Sequence, residues 1–132
     1  MNTRRQKLGR WGESRAAEYL AAKKYTIVAR NVRTRYGEID LVARQEVEAG
    51  GSSQCVATTV FVEVKTRSSV TFGYPEESIT VQKRAHMVAA AQAYLQEHAE
   101  LDGDWRIDVI AIQRHPSGER PSIVHFENAV QD

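Results

Sequence analysis

A carboxylate and an amine, two residues apart, interrupt an otherwise apolar segment that reads Val60-Phe-Val-Glu-Val-Lys-Thr66. Side chains alternate between the two faces of a β-strand, so Glu63 and Lys65 share a face with Phe61, while the valines share the other. Charged side chains are costly inside a sheet unless they are paired or bind an ion. The pattern is therefore either an ordinary ion pair on an edge strand or the acid and amine of a hydrolytic site.

A second segment with the same alternation supplies another acid. Glu38-Ile-Asp-Leu-Val42 follows Gly37, and its pattern predicts Glu38 and Asp40 on one face, with Ile39 and Leu41 on the other. If the two strands pair as an antiparallel hairpin, Asp40 and Glu63 converge at one end of the sheet. Neighbouring carboxylates repel each other where the dielectric is low, and a divalent cation relieves that repulsion. Oxygen ligands suit Mg²⁺ or Mn²⁺, so the second acid favours a metal site over a plain ion pair.

Such a site has the parts needed to hydrolyse a phosphate diester. The diester repels hydroxide and water is a poor nucleophile, so the reaction needs both a Lewis acid and a group that acts on water. The cation would hold and polarise the phosphate and lower the pKa of a bound water. The Lys65 ammonium would orient or deprotonate the attacking water and offset the charge of the transition state.

The pattern of apolar residues predicts the elements that position these side chains. We expect an α/β fold in the order αβββαββ, with a central mixed sheet flanked by helices. The predicted helices cover about 5–24 and, after the N-cap Thr80, about 81–96, and the predicted strands cover 25–33, 38–44, 56–66, 106–112 and 122–126. The second helix should bury a stripe formed by Val81, Ala85, Val88, Ala91 and Leu95. A Gly/Ser-rich flexible loop is expected at about 46–55, within one domain spanning 1–132.

Composition limits the class of protein. The 132 residues are 42% hydrophobic and 27% charged, as in an ordinary globular domain, and the single cysteine cannot form an internal disulfide. No apolar run approaches the ~18 residues that cross a membrane. The basic start is not followed by an apolar segment, which predicts no signal peptide and a cytoplasmic protein.

The net charge of +1 hides an asymmetry along the chain. Residues 1–45 carry eleven Lys/Arg and four Asp/Glu, a net +7, whereas residues 46–75 are −1 and residues 76–132 are −5. A basic region of this kind either steers a polyanion or simply keeps the first helix and strand solvated. Charge alone does not decide between these two interpretations.

The ordered motifs resemble those of the YraN family, small bacterial proteins of restriction-endonuclease-like fold. The resemblance covers about residues 7–112. It rests on Gly9-x-x-Gly12-Glu13-x-x-Ala16-x-x-Tyr19-Leu20, Asn31, Gly37-Glu-Ile-Asp-Leu-Val42, Phe61-Val-Glu-Val-Lys-Thr-Arg67, Phe72-Gly73, Lys83-Arg84, Tyr94-Leu95 and Arg106-x-Asp108-Val109. The layout is also similar to that of archaeal Holliday-junction resolvases, which have an acid on the first helix and an E-x-K strand.

The resemblance implies a PD-(D/E)XK nuclease core. Asp40 would be the motif aspartate, Glu63 the motif acid and Lys65 the motif lysine, with Glu13 matching the helix-borne acid of the resolvases. The main-chain carbonyl of Val64 would be a further metal ligand. Ile39 replaces the proline that names the superfamily, a substitution that is usual in this branch. The implied activity is Mg²⁺- or Mn²⁺-dependent endonucleolytic cleavage of DNA, branched or damaged DNA included, and the implied assembly allows a homodimer.

Several candidate residues keep a second interpretation. Glu13 lies near the start of a helix, where any acid complements the macrodipole, and Glu38 is interpreted as a turn or supporting residue. The candidate contacts for the nucleic-acid backbone, which are alternatively a solvated basic surface, are Arg10, Arg67, Ser68, Lys83 and Arg84.

Other polar and aromatic residues are assigned to structure. Asp108 is expected to form an ion pair with Arg106 or with the first helix. The two tryptophans are assigned to the core, and the four histidines have no zinc-ligand spacing. The rival functions are a nucleic-acid-binding module with little or no turnover and a protein-interaction domain with a structural ion cluster.

Overall fold

The computed structural model describes residues 3–48, 55–68, 80–115 and 117–130. Its helices are α1 (Arg4–Ala22) and α2 (Val81–Glu97), and its strands are β1 (Thr26–Thr34), β2 (Gly37–Glu48), β3 (Cys55–Arg67), β4 (Asp104–Gln113) and β5 (Ser122–Val130). The predicted order αβββαββ is confirmed, and a 3-10 turn is added at Ala99–Leu101. No helix in the described ranges is both long and apolar enough to cross a membrane.

The largest differences between predicted and observed boundaries are at the ends of β2 and β5. The connection predicted at about 46–55 is shorter, because β2 continues to Glu48 and β3 begins at Cys55. The rest of that connection, 49–54, lies outside the described residues, as does the Phe72-Gly73 part of the family motif. The last strand extends to Val130, four residues beyond the predicted end at Phe126.

The five strands form one mixed sheet in the order β1-β2-β3-β4-β5. Neighbouring strands are antiparallel except β3 and β4, which are parallel and are connected through α2. Parallel neighbours need such a crossover connection, whereas the antiparallel pairs need only short links. The predicted mixed sheet flanked by helices is thereby confirmed.

Each face of the sheet packs against one helix. On the α1 face, Leu20 packs with Val60 and Val62, and on the α2 face, Phe61 packs with Ala91 and Tyr94. The predicted alternation of β3 is therefore confirmed, since its valines and its Phe61 lie on opposite faces. Glu63 consequently lies on the α2 face of the sheet together with Phe61.

The predicted inner stripe of α2 is wrong at its first two positions. Val81 is 86% exposed and Ala85 is also exposed. The predicted positions Val88, Ala91 and Leu95 do pack on the sheet, together with Met87, Ala90 and Tyr94. The rotation of the helix is set by Tyr94, whose ring meets Phe61 edge-on at a centroid distance of 5.9 Å. A large aromatic pair outweighs two small aliphatic side chains in deciding which side of a helix is buried.

Helix α1 contacts the sheet closely at Gly12. A Cβ at this position would lie 1.9 Å from Thr66 Oγ1, so a side chain would force the helix away from the end of β3. Gly9, one turn earlier, has no atom within 4 Å of the corresponding position. Gly12 thus fixes the distance between α1 and the end of β3, and Glu13 is the next residue of the helix.

We expect Gly12→Ala to lower the free energy of unfolding by about 1–3 kcal/mol, because the added methyl overpacks the contact with Thr66. Gly9→Ala is the matched control, and it should leave stability unchanged or raise it by up to about 1 kcal/mol through helix propensity. Urea denaturation followed by circular dichroism measures both. Equal effects of the two substitutions would contradict the close contact at Gly12.

A buried ion network joins β4 and β5. Asp108 is fully buried and accepts hydrogen bonds from Arg106 Nε (3.0 Å), His125 Nε2 (2.7 Å) and the Asn128 N–H (2.8 Å). Arg106 also donates to the Tyr25 hydroxyl at 2.9 Å. The predicted pairing of Asp108 with Arg106 is confirmed. Burial by itself would raise the pKa of Asp108, but these hydrogen bonds outweigh burial and hold the pKa below its usual value.

The lowered pKa predicts how Asp108 contributes to stability. Because the pKa is lower in the folded than in the unfolded chain, the stabilisation is present above the unfolded value of about 3.9 and is lost as the pH falls through the folded value. Asp108→Asn should cost about 3 kcal/mol at neutral pH, since it leaves the Arg106 charge partly buried without its partner. Urea denaturation of both proteins at several pH values should show the difference shrinking toward acid pH. A difference that does not change with pH would contradict this account.

Candidate functional site

The site lies where β2 and β3 separate. Their antiparallel ladder ends at the pair Leu41–Val62, so Asp40 and Glu63 are the next residues on each strand. The Asp40 carboxylate accepts a hydrogen bond of 2.8 Å from the main-chain N–H of Val64. The predicted hairpin is therefore confirmed. Beyond Leu41, β2 no longer offers a main-chain acceptor to Val64, and the Asp40 side chain accepts this hydrogen bond instead.

The alternation of β2 changes phase at Asp40. Ile39 packs on the α2 face while Leu41 packs on the α1 face, so the prediction that they share a face is wrong. The cause lies opposite, in β1, where Asn31 has a φ of 51°. This left-handed conformation is unusual for a residue in a strand, and asparagine tolerates it better than most residues. It interrupts the pleat at the level of Asp40.

The break in the pleat brings three carboxylates together. Glu13 of α1, Glu38 and Asp40 each have an oxygen within 4.8 Å of the others, and we call these three residues the acidic cluster. With its amide nitrogen turned toward the carboxylates, Asn31 donates to Glu13 Oε2 at 3.0 Å and to Glu38 Oε1 at 3.2 Å. Glu38, interpreted from sequence as a turn or supporting residue, contributes a full member of this cluster.

The pKa of Asp40 reflects the crowding of negative charge. Burial, then the charge of Glu63, and then that of Glu13 raise the pKa of Asp40 to about 8, although the Val64 N–H opposes the rise. Burial and the neighbouring Glu38 also raise the pKa of Glu13. Carboxylates that hold protons near neutral pH lose them readily to a cation that binds in their place. The donor set, all oxygen, suits a hard divalent cation such as Mg²⁺ or Mn²⁺.

A second ion cluster lies on the α2 side of the acidic cluster. Glu63 Oε1 is 3.3 Å from Lys65 Nζ and 3.4 Å from Lys83 Nζ, where Lys83 belongs to the first turn of α2. Burial and the adjacent Lys83 lower the pKa of Lys65. The pKa of Lys83 is instead raised, because its contacts with Lys65 and Glu63 outweigh burial. Two amines that share one carboxylate therefore differ in how readily they give up a proton.

A cavity of about 230 Å³ opens beside these ion clusters. Its polar wall includes Glu38, Glu63 and Lys83, and its apolar wall includes Ile39 and Phe61. Clefts with apolar walls and a few convergent polar groups are typical of ligand-binding sites. The acids and amines of the site therefore border a space that a substrate group could enter.

The remaining candidate residues are spread around this end of the molecule. Arg10, Ser68 and Arg84 are exposed. Arg67 is half-buried, and its Nε has no hydrogen-bond partner among the residues the structure describes. Sequence reasoning missed Asn31 as a contact of the acids and Lys83 as a partner of Glu63. Asn31 could have been noticed in the sequence, because a polar residue that favours turns is unusual inside a strand.

Comparison with known proteins assigns the chain to a family. A family model described as uncharacterised protein family UPF0102 matches residues 12–112. The chain is similar to a UPF0102 protein of Roseiflexus castenholzii, with 41% identity over 100% of this chain and 99% of the relative. It is also similar to UPF0102 proteins of Syntrophotalea carbinolica (40% identity, 98% of this chain and 95% of the relative) and Chlorobium limicola (47%, 80% and 74%).

The structure is that of an α/β protein with an acidic cluster at one end of a five-stranded mixed sheet. The chain belongs to the UPF0102 family, which is the YraN family, and the resemblance stated from the motifs is confirmed. The match begins at Gly12 and ends at Ile112, so it includes Glu13, Asp40, Glu63 and Lys65.

If the acidic cluster takes up a divalent cation, the cation should stabilise the folded protein. A raised carboxyl pKa means that the acidic cluster destabilises the folded state as the pH rises above the unfolded value of about 3.9. Saturating Mn²⁺ should therefore raise Tm by about 4 °C or more relative to chelator, equivalent to about 1 kcal/mol for a domain of this size.

Asp40→Asn should behave in the opposite way. The amide stays neutral at pH values where the carboxyl must ionise, so in chelator above about pH 8 this variant should melt at or above the wild-type temperature, and Mn²⁺ should no longer raise it. Scanning calorimetry makes the comparison, with the exposed substitution Glu18→Gln as control. An equal Mn²⁺ effect on wild type and Asp40→Asn would rule out cation binding at the acidic cluster.

Proposed function

We propose that this protein is a Mg²⁺- or Mn²⁺-dependent nuclease of the PD-(D/E)XK type that hydrolyses phosphodiester bonds in DNA. The observation that carries the proposal is the position of the half-buried Asp40 carboxylate. It lies between the acids Glu13 and Glu38 and the Glu63–Lys65 pair, at the end of β2 and β3. These are the residue types that metal-assisted diester hydrolysis requires.

Asp40, Glu13 and Glu38 are the residues that would hold the cation. The family resemblance adds Glu63 and the Val64 carbonyl. The Val64 N–H already bonds Asp40, and the N–H and C=O of one strand residue point toward the same neighbouring strand, so that carbonyl is directed toward β2 and Asp40. When bound, the cation supplies Lewis-acid polarisation of the phosphate and a water of lowered pKa.

Lys65 and Lys83 have separate tasks in this proposal. Lys65 orients or deprotonates the attacking water, and Glu63 holds its amine in place at 3.3 Å. Lys83, in the first turn of α2, offsets the negative charge that develops on the phosphate.

Charge and resemblance favour DNA as the substrate. The first 45 residues carry a net +7, and Lys83 and Arg84 add positive charge where α2 begins, close to Glu63. Cations around an acidic metal site attract the phosphate backbone while the cation neutralises the acids. The resemblance to resolvases makes branched DNA the first substrate to test and a homodimer the assembly that would cut two strands.

A second candidate function is a nucleic-acid-binding module of this fold with little or no turnover. It is favoured by the contacts of Glu63, whose carboxylate is bonded to Lys65 and Lys83 and is not a member of the acidic cluster. An acid neutralised by two amines is less available to a cation. In this alternative the two lysines serve only to bind phosphate.

The test is cleavage of labelled single-stranded, duplex, flapped and four-way DNA with Mg²⁺, with Mn²⁺ and with chelator. Wild type should cut in either cation, and Asp40→Asn and Lys65→Ala should each reduce the rate at least ~100-fold. Glu18→Gln and Lys23→Ala, two exposed substitutions on α1 and just after it, are the matched controls and should retain full activity.

The outcomes separate the two functions. Cation-dependent cutting that is lost in both site variants and kept in both controls supports the nuclease. Salt-sensitive DNA binding without cutting of any substrate selects the binding module. Cutting that survives in Asp40→Asn would overturn the proposed site.

A further inference from the structure

A basic groove lies along the N-terminal part of α1, on the side of the helix that faces away from Glu13. The groove has a volume of about 420 Å³ and is lined by Arg4, Lys7, Leu8, Trp11 and Arg114. We call it the α1 groove. Four of the lining residues belong to the first two turns of α1, and Arg114 directly follows β4. Two separate elements therefore contribute cations to one depression.

The positive charge of the α1 groove is not balanced within the described residues. None of Arg4, Lys7 and Arg114 forms a salt bridge there, although Arg15, Lys65, Lys83 and Arg106 all do. The first turn of α1 has no acidic residue. Cations at the start of a helix oppose the macrodipole, so this grouping is unfavourable for the isolated chain and is relieved by an anion.

Trp11 lines the groove between two guanidinium groups. Those of Arg15 and Arg114 each lie 5.8 Å from the centroid of its ring. Another part of the indole packs against the core on the α1 face, which holds the ring in place. A fixed aromatic ring among cations is the arrangement that proteins use to bind nucleic-acid strands, with cations on phosphates and the ring against a base or sugar.

The groove adjoins the proposed catalytic end of the sheet. Gly12, the residue after Trp11, contacts Thr66 near the end of β3. On the other side of the groove, the Arg114 N–H donates to the Arg67 carbonyl at 2.8 Å, at the end of the strand that carries Glu63 and Lys65. The α1 groove therefore lies against the end of β3, two residues beyond Lys65.

We propose that the α1 groove binds the phosphate backbone of the nucleic acid that is cut at the acidic cluster. This inference rests on the proposed function. Lys83 and Arg84 lie at the start of α2, on the opposite face of the sheet, so backbone phosphates are held on both sides of the scissile bond. Contacts on both sides suit an enzyme that cuts within a chain rather than at its end.

The test measures binding separately from cutting. Anisotropy of fluorescein-labelled duplex and four-way DNA is recorded in chelator, over a series of salt concentrations, for wild type, a groove triple variant and a control triple variant. The groove variant carries Arg4→Gln, Lys7→Gln and Arg114→Gln. The control carries Lys23→Gln, Lys24→Gln and Arg120→Gln, which remove the same charge from exposed positions beyond the end of α1 and before β5. Circular dichroism establishes that both triple variants are folded.

The groove variant should bind at least about tenfold more weakly at moderate salt, and its plot of log K against log salt should be shallower by about 0.9 for each lost contact, or about 2–3 in all. The control should keep the wild-type slope. Equal slopes for the two variants would overturn the inference and leave the proposed nuclease standing. Wild type that neither binds nor cuts DNA would overturn the proposed function and the inference with it.

Tryptophan fluorescence gives a second measurement that does not depend on charge removal. In a Trp105→Phe protein, Trp11 is the single remaining tryptophan. Saturating single-stranded DNA should quench its emission, because bases that contact an indole quench it. Unchanged emission at saturation would contradict the position of the nucleic acid in the α1 groove.

Discussion

The other groups of the site are arranged around the half-buried carboxylate of Asp40. A charged group here is repelled by Glu63 and Glu13, and partial burial removes much of the water that would otherwise screen it. The chain compensates with one main-chain hydrogen bond, from Val64, which the separation of β2 and β3 makes available. The negative charge of the site is therefore only partly compensated, and a divalent cation is the simplest addition that would balance it.

The fold brings the other groups to Asp40 from three directions. Gly12 lets α1 approach the end of β3 closely enough for Glu13 to join the acids. The left-handed conformation of Asn31 turns the acidic side of β2 toward that helix. The crossover from β3 through α2 to β4 places the first turn of α2 beside Glu63. Each of these features is local. Together they place acids on one side of Asp40 and amines on the other.

Much of this could be predicted from the sequence because its signals were local. The alternation of apolar and charged residues from Val60 to Thr66 gave the faces of β3 correctly, and Thr80 was correctly identified as the cap of α2. The order of helices and strands followed from periodicity alone. The convergence of β2 and β3 at Asp40 followed from the hairpin.

What could not be predicted depended on contacts between distant residues. Ile39 and Leu41 were placed on one face because strict alternation was assumed, whereas the conformation of Asn31 in the neighbouring strand breaks it. Val81 and Ala85 were wrongly assigned to the buried side of α2, whose rotation depends on the contact of Tyr94 with Phe61, more than thirty positions away in the chain. The membership of Glu38 in the acidic cluster could not be predicted for the same reason, because it depends on the change of alternation at Asp40.

Anomalous scattering from crystals grown with Mn²⁺ would reveal directly whether Asp40 holds a cation. We expect one strong peak within about 2.0–2.3 Å of an Asp40 carboxylate oxygen, with Glu13 or Glu38, or Glu63 and the Val64 carbonyl, completing the ligands. Either ligand set would identify Asp40 as the residue that holds the cation. Crystals in which the Asp40 carboxyl is bonded to an amine, with no manganese peak beside it at saturating Mn²⁺, would contradict cation binding at this residue.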